Sequence, residues 1–274
     1  MVANDTSSVA TAAMKDGATS AFDKKQKSSS SAIGLSISLP EISYSGKVIL
    51  EDFKIALKPG TITCLLGPSG VGKTSILKSI AGILPLAAGS DIRPSDGETL
   101  TGRIAYLDQK DLLLPWSSAL DNLLIAARLR GEKVDRARAK ALLAAVGLVG
   151  KEAELPSTLS GGMRQRVSLA RTLMDDAPIV LVDEPFSALD AITRHRLQAL
   201  LAQLCAGRTT LMITHDPMEA LRLGHQVYVL AGDPVKLTPI DDLGDQIPRD
   251  PTLSSLKEKY NQILDLLGMQ KDLG

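Results

Sequence analysis

The stretch Gly67-Pro68-Ser69-Gly70-Val71-Gly72-Lys73-Thr74 constrains the fold of this chain more than any other. Gly67 and Gly72 stand with four residues between them, and Lys and Thr follow, the spacing of a loop that cradles phosphates. Such a loop needs a strand before it and a helix after it. The apolar run Ile62 to Leu66 leads in, and Ser75 to Ile80 leads out with a helical pattern. Glycines let the backbone take positive φ and turn its N–H groups toward an anion. The helix N-terminus adds partial positive charge at the same point. Lys73 is placed to reach the β- and γ-phosphates of a nucleotide, and the Thr74 hydroxyl to ligate Mg²⁺. Residues 67 to 75, with Ser75 as the last, are the expected nucleotide-binding loop.

At 274 residues the chain can bury a large core as one domain or two. Its formal net charge is zero, so nothing global draws it to nucleic acid or to an anionic membrane. Aromatic residues are 3%, too few to build stacking platforms for single strands. No apolar run approaches the ~20 residues of a membrane helix, and the chain reads as soluble. Two cysteines, Cys64 and Cys205, are too few for a disulfide framework or a zinc site. Cys64 lies in the apolar run before the loop and is expected buried; a reducing cytoplasm fits.

Residues 1–34 are rich in Ser, Ala, Thr and Lys and are expected to be a disordered tail. They lack the apolar core of a signal peptide. Strand patterns follow at Leu35 to Leu39, Val48 to Leu50 and Phe53 to Ile55. Gly89 to Gly102 is polar and turn-rich, and Ile104 to Leu107 reads as a short strand. Helical periodicity marks Ala119 to Arg130, Asp135 to Val149 and the stretch from Ser160 to about Leu173. Ile179 to Asp183 is a continuous apolar run, suited to a strand buried on both faces. It ends in the pair Asp183-Glu184, at the strand end where α/β sheets place their sites. A helix from Ala191 to Leu204, a strand from Thr209 to Thr214, a short helix after Pro217 and a strand from Gln226 complete an alternating α/β pattern. An amphipathic helix is expected from Leu253 to Leu267.

With these pieces in place, residues 35 to 232 resemble the ATP-binding cassette (ABC) ATPases. Gly67 to Thr74 looks like the Walker A loop, Gln109 matches the Q-loop glutamine, and Leu159 to Gln165 looks like the family signature. Val182-Asp183-Glu184-Pro185 looks like Walker B with its glutamate, Ser187 to Asp190 resembles the D-loop, and His215 matches the switch histidine. Tyr44 stands where the family places an aromatic that stacks on adenine. The resemblance implies an α/β P-loop nucleotide-hydrolase fold: a mixed sheet core, an antiparallel β region, and an inserted helical subdomain over about 110–172. Residues 233–274 are then a short C-terminal extension. It implies ATP and Mg²⁺ as cofactors, with Thr74, Gln109 and Asp183 toward the metal. Glu184 would orient the attacking water, with His215, Gln109 and Lys73 beside it. Ser160, Gly161, Gly162 and Gln165, with Asp190 nearby, would serve the ATP of a second subunit in a homodimer. Two departures from the family pattern are local: Asp108 and Lys110 flank Gln109 where an aromatic and an acid are commoner, and Thr74-Ser75 reverses the usual order.

Leu112-Leu113-Leu114-Pro115-Trp116 is similar to a stretch in ATPases of bacterial importers for nitrate, sulfonates, taurine and thiamine precursors. There, Leu114, Pro115 and Trp116 would meet a membrane subunit; the competing reading buries Trp116 in the helical subdomain. The implied partners are integral-membrane permease subunits and, indirectly, a periplasmic or lipid-anchored solute-binding protein. The implied place is the cytoplasmic side of the inner membrane. A lipoprotein-release or division-type cassette is the alternative. Fewer than 90 residues separate Lys73 from Ser160, too few for the coiled coil of a DNA-repair ATPase.

Overall fold

The computed structural model describes residues 32–44 and 47–268. The expected tail, up to residue 31, lies outside the described residues, and so does the side chain of Tyr44.

The larger of two sheets has six strands in the order β5 (Ile104–Leu107), β6 (Ile179–Asp183), β7 (Thr209–Thr214), β3 (Ile62–Leu66), β8 (Gln226–Ala231) and β9 (Lys236–Ile240). Neighbours from β5 to β8 pair in parallel, and β9 runs antiparallel on β8. Every residue of β3, β6 and β7 is buried. Both faces of these strands are covered, which is why β6 reads as an unbroken apolar run, Ile179 to Val182, rather than an alternating one.

The smaller sheet is antiparallel. β1 (Leu35–Tyr44) lies between β2 (Lys47–Leu57) and the short β4 (Asp91–Pro94). Leu35, Ile37 and Leu39 face inward opposite Leu57, Ile55 and Phe53. They close a core with Ile76, Leu77 and Ile80 of α1 (Lys73–Ile80) and with the central strands. Sequence periodicity left β4 and β9 unseen. Each is a short strand at the edge of its sheet, only partly buried, so neither carries an alternation long enough to register.

Between β5 and β6 the chain inserts three packed helices, α2 (Ala119–Leu129), α3 (Arg136–Ala145) and α4 (Gly161–Met174). Side-chain caps fix their starts. Ser118, Asp135 and Ser160 accept hydrogen bonds from the main-chain N–H groups of Asp121, Arg138 and Met163; such a cap is worth about 1 kcal/mol. α5 (Ala191–Leu204), α6 (Pro217–Leu223) and α7 (Ser254–Leu266) complete the fold.

Both ends of the described residues join this body. Ile33 is buried and its carbonyl accepts a hydrogen bond from Thr209 Oγ1 at 2.6 Å. After residue 232, β9 adds the sixth strand, and α7 sends Leu256 and Ile263 into the main core. Apolar positions spaced along α7 explain this: the helix has one face to bury, and α6 and β8 offer the surface.

Candidate active site

β3 ends at Leu66 and α1 begins at Lys73, so the phosphate loop is the whole connection between a central strand and its helix. Gly72 has φ 98°, and a Cβ there would lie 2.9 Å from Ile49 Cγ2. At Gly67 a Cβ would lie 2.5 Å from the Leu230 carbonyl oxygen. Conformation demands glycine at the first position and close approach demands it at the second. Lys73 is 5% exposed, and its ammonium donates to the carbonyls of Gly67 and Pro68 at 2.8 Å each. Burial lowers the Lys73 pKa, against the upward pull of Glu184 and Asp183.

Asp183 is the last residue of β6 and is fully buried. Neither carboxylate oxygen completes a hydrogen bond among the described residues. Burial raises its pKa, while the nearby Thr74 hydroxyl pulls it down. A buried carboxylate that completes no hydrogen bond is costly. It is the oxygen-donor corner that a hard divalent cation and phosphate oxygens suit.

Glu184 follows in the left-handed region, φ 45°, with its N–H donating to the Ile213 carbonyl at 3.0 Å. Backbone strain of this kind costs about 1–3 kcal/mol and gathers at functional sites. It turns the side chain out of the sheet into a cluster. Gln109 Nε2 donates to Glu184 Oε2 at 3.2 Å, and His215 Nδ1 lies 3.2 Å from the same oxygen. These residues follow the C-terminal ends of β5, β6 and β7, three neighbouring strands. Parallel pairing brings residues far apart in sequence to one edge.

The signature residues open α4. Ser160 is its exposed N-cap, Gly161 is its first residue, and a Cβ on Gly162 would stand 3.2 Å from the Ala188 carbonyl oxygen. Gln165 is buried, and its Nε2 has no partner among the described residues. Asp190 caps α5 by accepting from Thr193 N at 2.9 Å, and that hydrogen bond lowers its pKa.

The segment after Gln109 is fastened by side chains to main chain. Arg171 donates to the carbonyls of Leu112 and Asp111 at 2.8 and 3.1 Å, and Arg164 pairs with the Asp111 carboxylate at 2.8 Å. Asn122, fully buried, accepts from Leu114 N and donates to the carbonyls of Leu114, Ser117 and Ser118. Sequence reasoning missed these three residues. Asn122 had a signal: a polar residue inside the apolar stripe of α2. Trp116 is 75% exposed, which removes the reading that it fills the helical subdomain. Leu112 and Pro115 are exposed with it, and Leu114 is half-buried. His225 and His195 lie away from this cluster: His225 Nδ1 accepts from Ile62 N at 2.9 Å, and His195 lies against the Arg222 guanidinium.

A phosphate loop on a central strand, with an acidic pair closing the strand one place removed in the same sheet, defines a P-loop nucleotide hydrolase. The chain belongs to the ABC transporter family, whose model matches residues 50–187. It is 39% identical over 235 residues to an uncharacterized ABC transporter ATP-binding protein of Haemophilus influenzae, covering 83% of this chain and 95% of that one. It is 40% identical over 230 residues to the aliphatic sulfonates import ATP-binding protein SsuB 2 of Burkholderia cenocepacia, covering 81% and 83%. The SsuB 1 protein of Rhodococcus jostii is 44% identical over 190 residues, covering 68% and 75%. Among solved structures, the dimeric post-hydrolysis state of an ATP-binding cassette bound to ADP and Pi aligns with a TM-score of 0.64 at 26% identity, over 71% of this chain and 93% of that one. The chain is an ATP-hydrolysing cassette. Among the described residues no helix is long and apolar enough to cross a membrane.

Proposed function

We propose that this cassette powers import of a small solute through separate permease subunits, with an aliphatic sulfonate the favoured class within the nitrate, sulfonate, taurine and thiamine-precursor group. The observation that carries the catalytic part is the convergence of Gln109 and His215 on one oxygen of Glu184. Glu184 accepts a hydrogen bond from the attacking water and turns it in line with the γ-phosphorus. Gln109 and His215 hold that carboxylate in place. The Lys73 ammonium, now on two loop carbonyls, exchanges them for β- and γ-phosphate oxygens of ATP. Gly67, Pro68, Ser69, Gly70, Val71, Gly72 and Ser75 line the phosphates. Thr74 and Asp183, with Gln109, are the residues that fit Mg²⁺, which when bound neutralises charge between the β- and γ-phosphates.

Ser160, Gly161, Gly162 and Gln165, with Asp190, complete the site of a second copy in a homodimer. The exposed N-terminus of α4 and the dimeric form of the solved relative support this. Exposed Leu112, Pro115 and Trp116, with Leu114, form the face for a permease, to which a solute-binding protein delivers substrate. Relatives named for aliphatic sulfonate import weigh against the lipoprotein-release or division-type alternative. Tyr44 stays an expectation for adenine stacking, since its side chain lies outside the described residues.

Reconstituting the cassette with the permease that co-purifies with it, in vesicles with a solute-binding protein, tests the whole reading. ATP-dependent uptake of an alkanesulfonate, lost with Glu184→Gln, is expected. A partner that moves lipoprotein instead, or uptake undiminished in Glu184→Gln, overturns it.

A further inference from the structure

His215 precedes a helix too short to hold itself in place. α6 has seven residues, and isolated helices shorter than about 12–15 residues are marginal in water. Its start is fastened locally. Asp216 accepts from Met218 N and Glu219 N at 2.8 and 3.3 Å. The Thr214 hydroxyl donates to the buried Glu219 carboxylate at 2.7 Å and accepts from Asp216 N at 3.0 Å.

Its end is fastened from far along the chain. The last carbonyls of any helix need donors from elsewhere. Here Arg249, 6% exposed, donates through Nη1 to the carbonyls of Leu221 and Gly224 at 2.6 and 2.7 Å. Its main-chain N–H donates to the Arg222 carbonyl at 2.9 Å. Arg249 Nε donates to the Leu243 carbonyl at 2.6 Å, and Nη2 donates to that of Gly244. The guanidinium thus joins the loop before α7 to the end of α6. Its positive charge also suits a helix C-terminus. On the other flank, Arg222 Nη1 donates to Gln198 on α5 at 2.7 Å.

We propose that Arg249 is a positioning residue for ATP hydrolysis: by fixing the end of α6 it keeps His215 within reach of the Glu184 carboxylate. A residue beyond the motif-bearing part of the chain thereby sets the geometry of its site. This rests on the roles given to Glu184 and His215 above.

Steady-state ATP hydrolysis by the full chain tests it, with His215→Ala, Arg249→Ala, Arg249→Lys and the doubles with His215→Ala, each melted in parallel. Arg249→Ala is expected to lower kcat about tenfold while KM for ATP stays within about twofold. Arg249→Lys keeps the charge and part of the donor set and is expected to recover part of the loss. Each double should be no worse than His215→Ala alone, because both changes remove one function. A merely structural Arg249 gives losses that multiply in the doubles and KM that moves with kcat; that result, or an unchanged kcat in folded Arg249→Ala, overturns the proposal. Where Arg249→Ala does not fold, the Arg249→Lys cycle decides by the same criterion. Wild-type turnover in His215→Ala overturns the site assignment and this proposal together, whereas an impaired His215→Ala with multiplying losses overturns only the role of Arg249.

Discussion

The pocket around Glu184 and the segment from Asp111 to Trp116 are neighbours in sequence through Gln109, yet they are built in opposite ways. The pocket is assembled from backbone. β3, β6 and β7 are buried at every residue and hydrogen-bonded on both edges, so the ends that carry Gly67, Asp183 and the approach to His215 cannot shift independently. The segment is assembled from side chains. Arg171, Arg164 and Asn122 reach across from two helices to hold its carbonyls and Asp111, while Leu112 and Trp116 project outward. Chemistry that needs sub-ångström placement sits on the element that cannot yield. The surface proposed for the permease is held by a few hydrogen bonds that can be exchanged without unzipping the sheet.

If that contrast is right, damage to the pocket abolishes turnover, and damage to the segment spares it. The largest effect is expected from Glu184→Gln, which keeps shape and removes the charge proposed to orient water. Turnover should fall about 10²–10³-fold while filter-bound or fluorescent ATP is retained; equal hydrolysis rates would falsify the assignment. Gly72→Ala comes next. Its φ of 98° and the approach to Ile49 force strain of about 1–3 kcal/mol into the phosphate loop, so ATP affinity measured by calorimetry should drop. Asp183→Asn removes an unpartnered buried carboxylate. The nucleotide-free chain should become more stable, by about 1–3 kcal/mol in denaturant titration, while Mg²⁺-dependent hydrolysis is lost. Unchanged or reduced stability would mean that Asp183 has a partner in solution.

The segment gives the smaller effects. Arg171→Ala removes two hydrogen bonds to main-chain carbonyls and should cost about 1 kcal/mol each. Basal ATPase of the isolated chain should stay within about twofold, and stimulation by the permease should fall. A collapse of basal activity would show that the pocket leans on this clamp, breaking the contrast. Trp116→Ala should change stability least, within about 0.5 kcal/mol, because the side chain is largely in water. Pull-down of the permease should weaken all the same; undiminished pull-down and transport would remove the docking face.

Much of the phosphate loop and of the pocket is legible in the sequence, because each residue there is chosen by local chemistry. Gly72 must take a positive φ, Lys73 must carry charge at a helix start, and Ile179 to Val182 must be apolar to lie buried between neighbours. The Trp116 environment was not legible. A Leu-Leu-Leu-Pro-Trp run suits a core or a socket equally well, and only the helices packed beside it decide how much of it meets water. Tyr44 stays where the sequence left it.

The order of strand, loop, helix and acidic strand end, and hence an alternating α/β fold with a phosphate loop, followed from the sequence alone, since those features are short-range or periodic; the ATP chemistry came from the resemblance of the ordered motifs to the ABC ATPases. Only the tertiary structure decided that Gln109 and His215 meet on one oxygen of Glu184, and that α7 and Arg249 belong to the body that carries the site. Those outcomes depend on which strands lie side by side and which carbonyls are left without donors, and both are set by contacts between residues tens of positions apart.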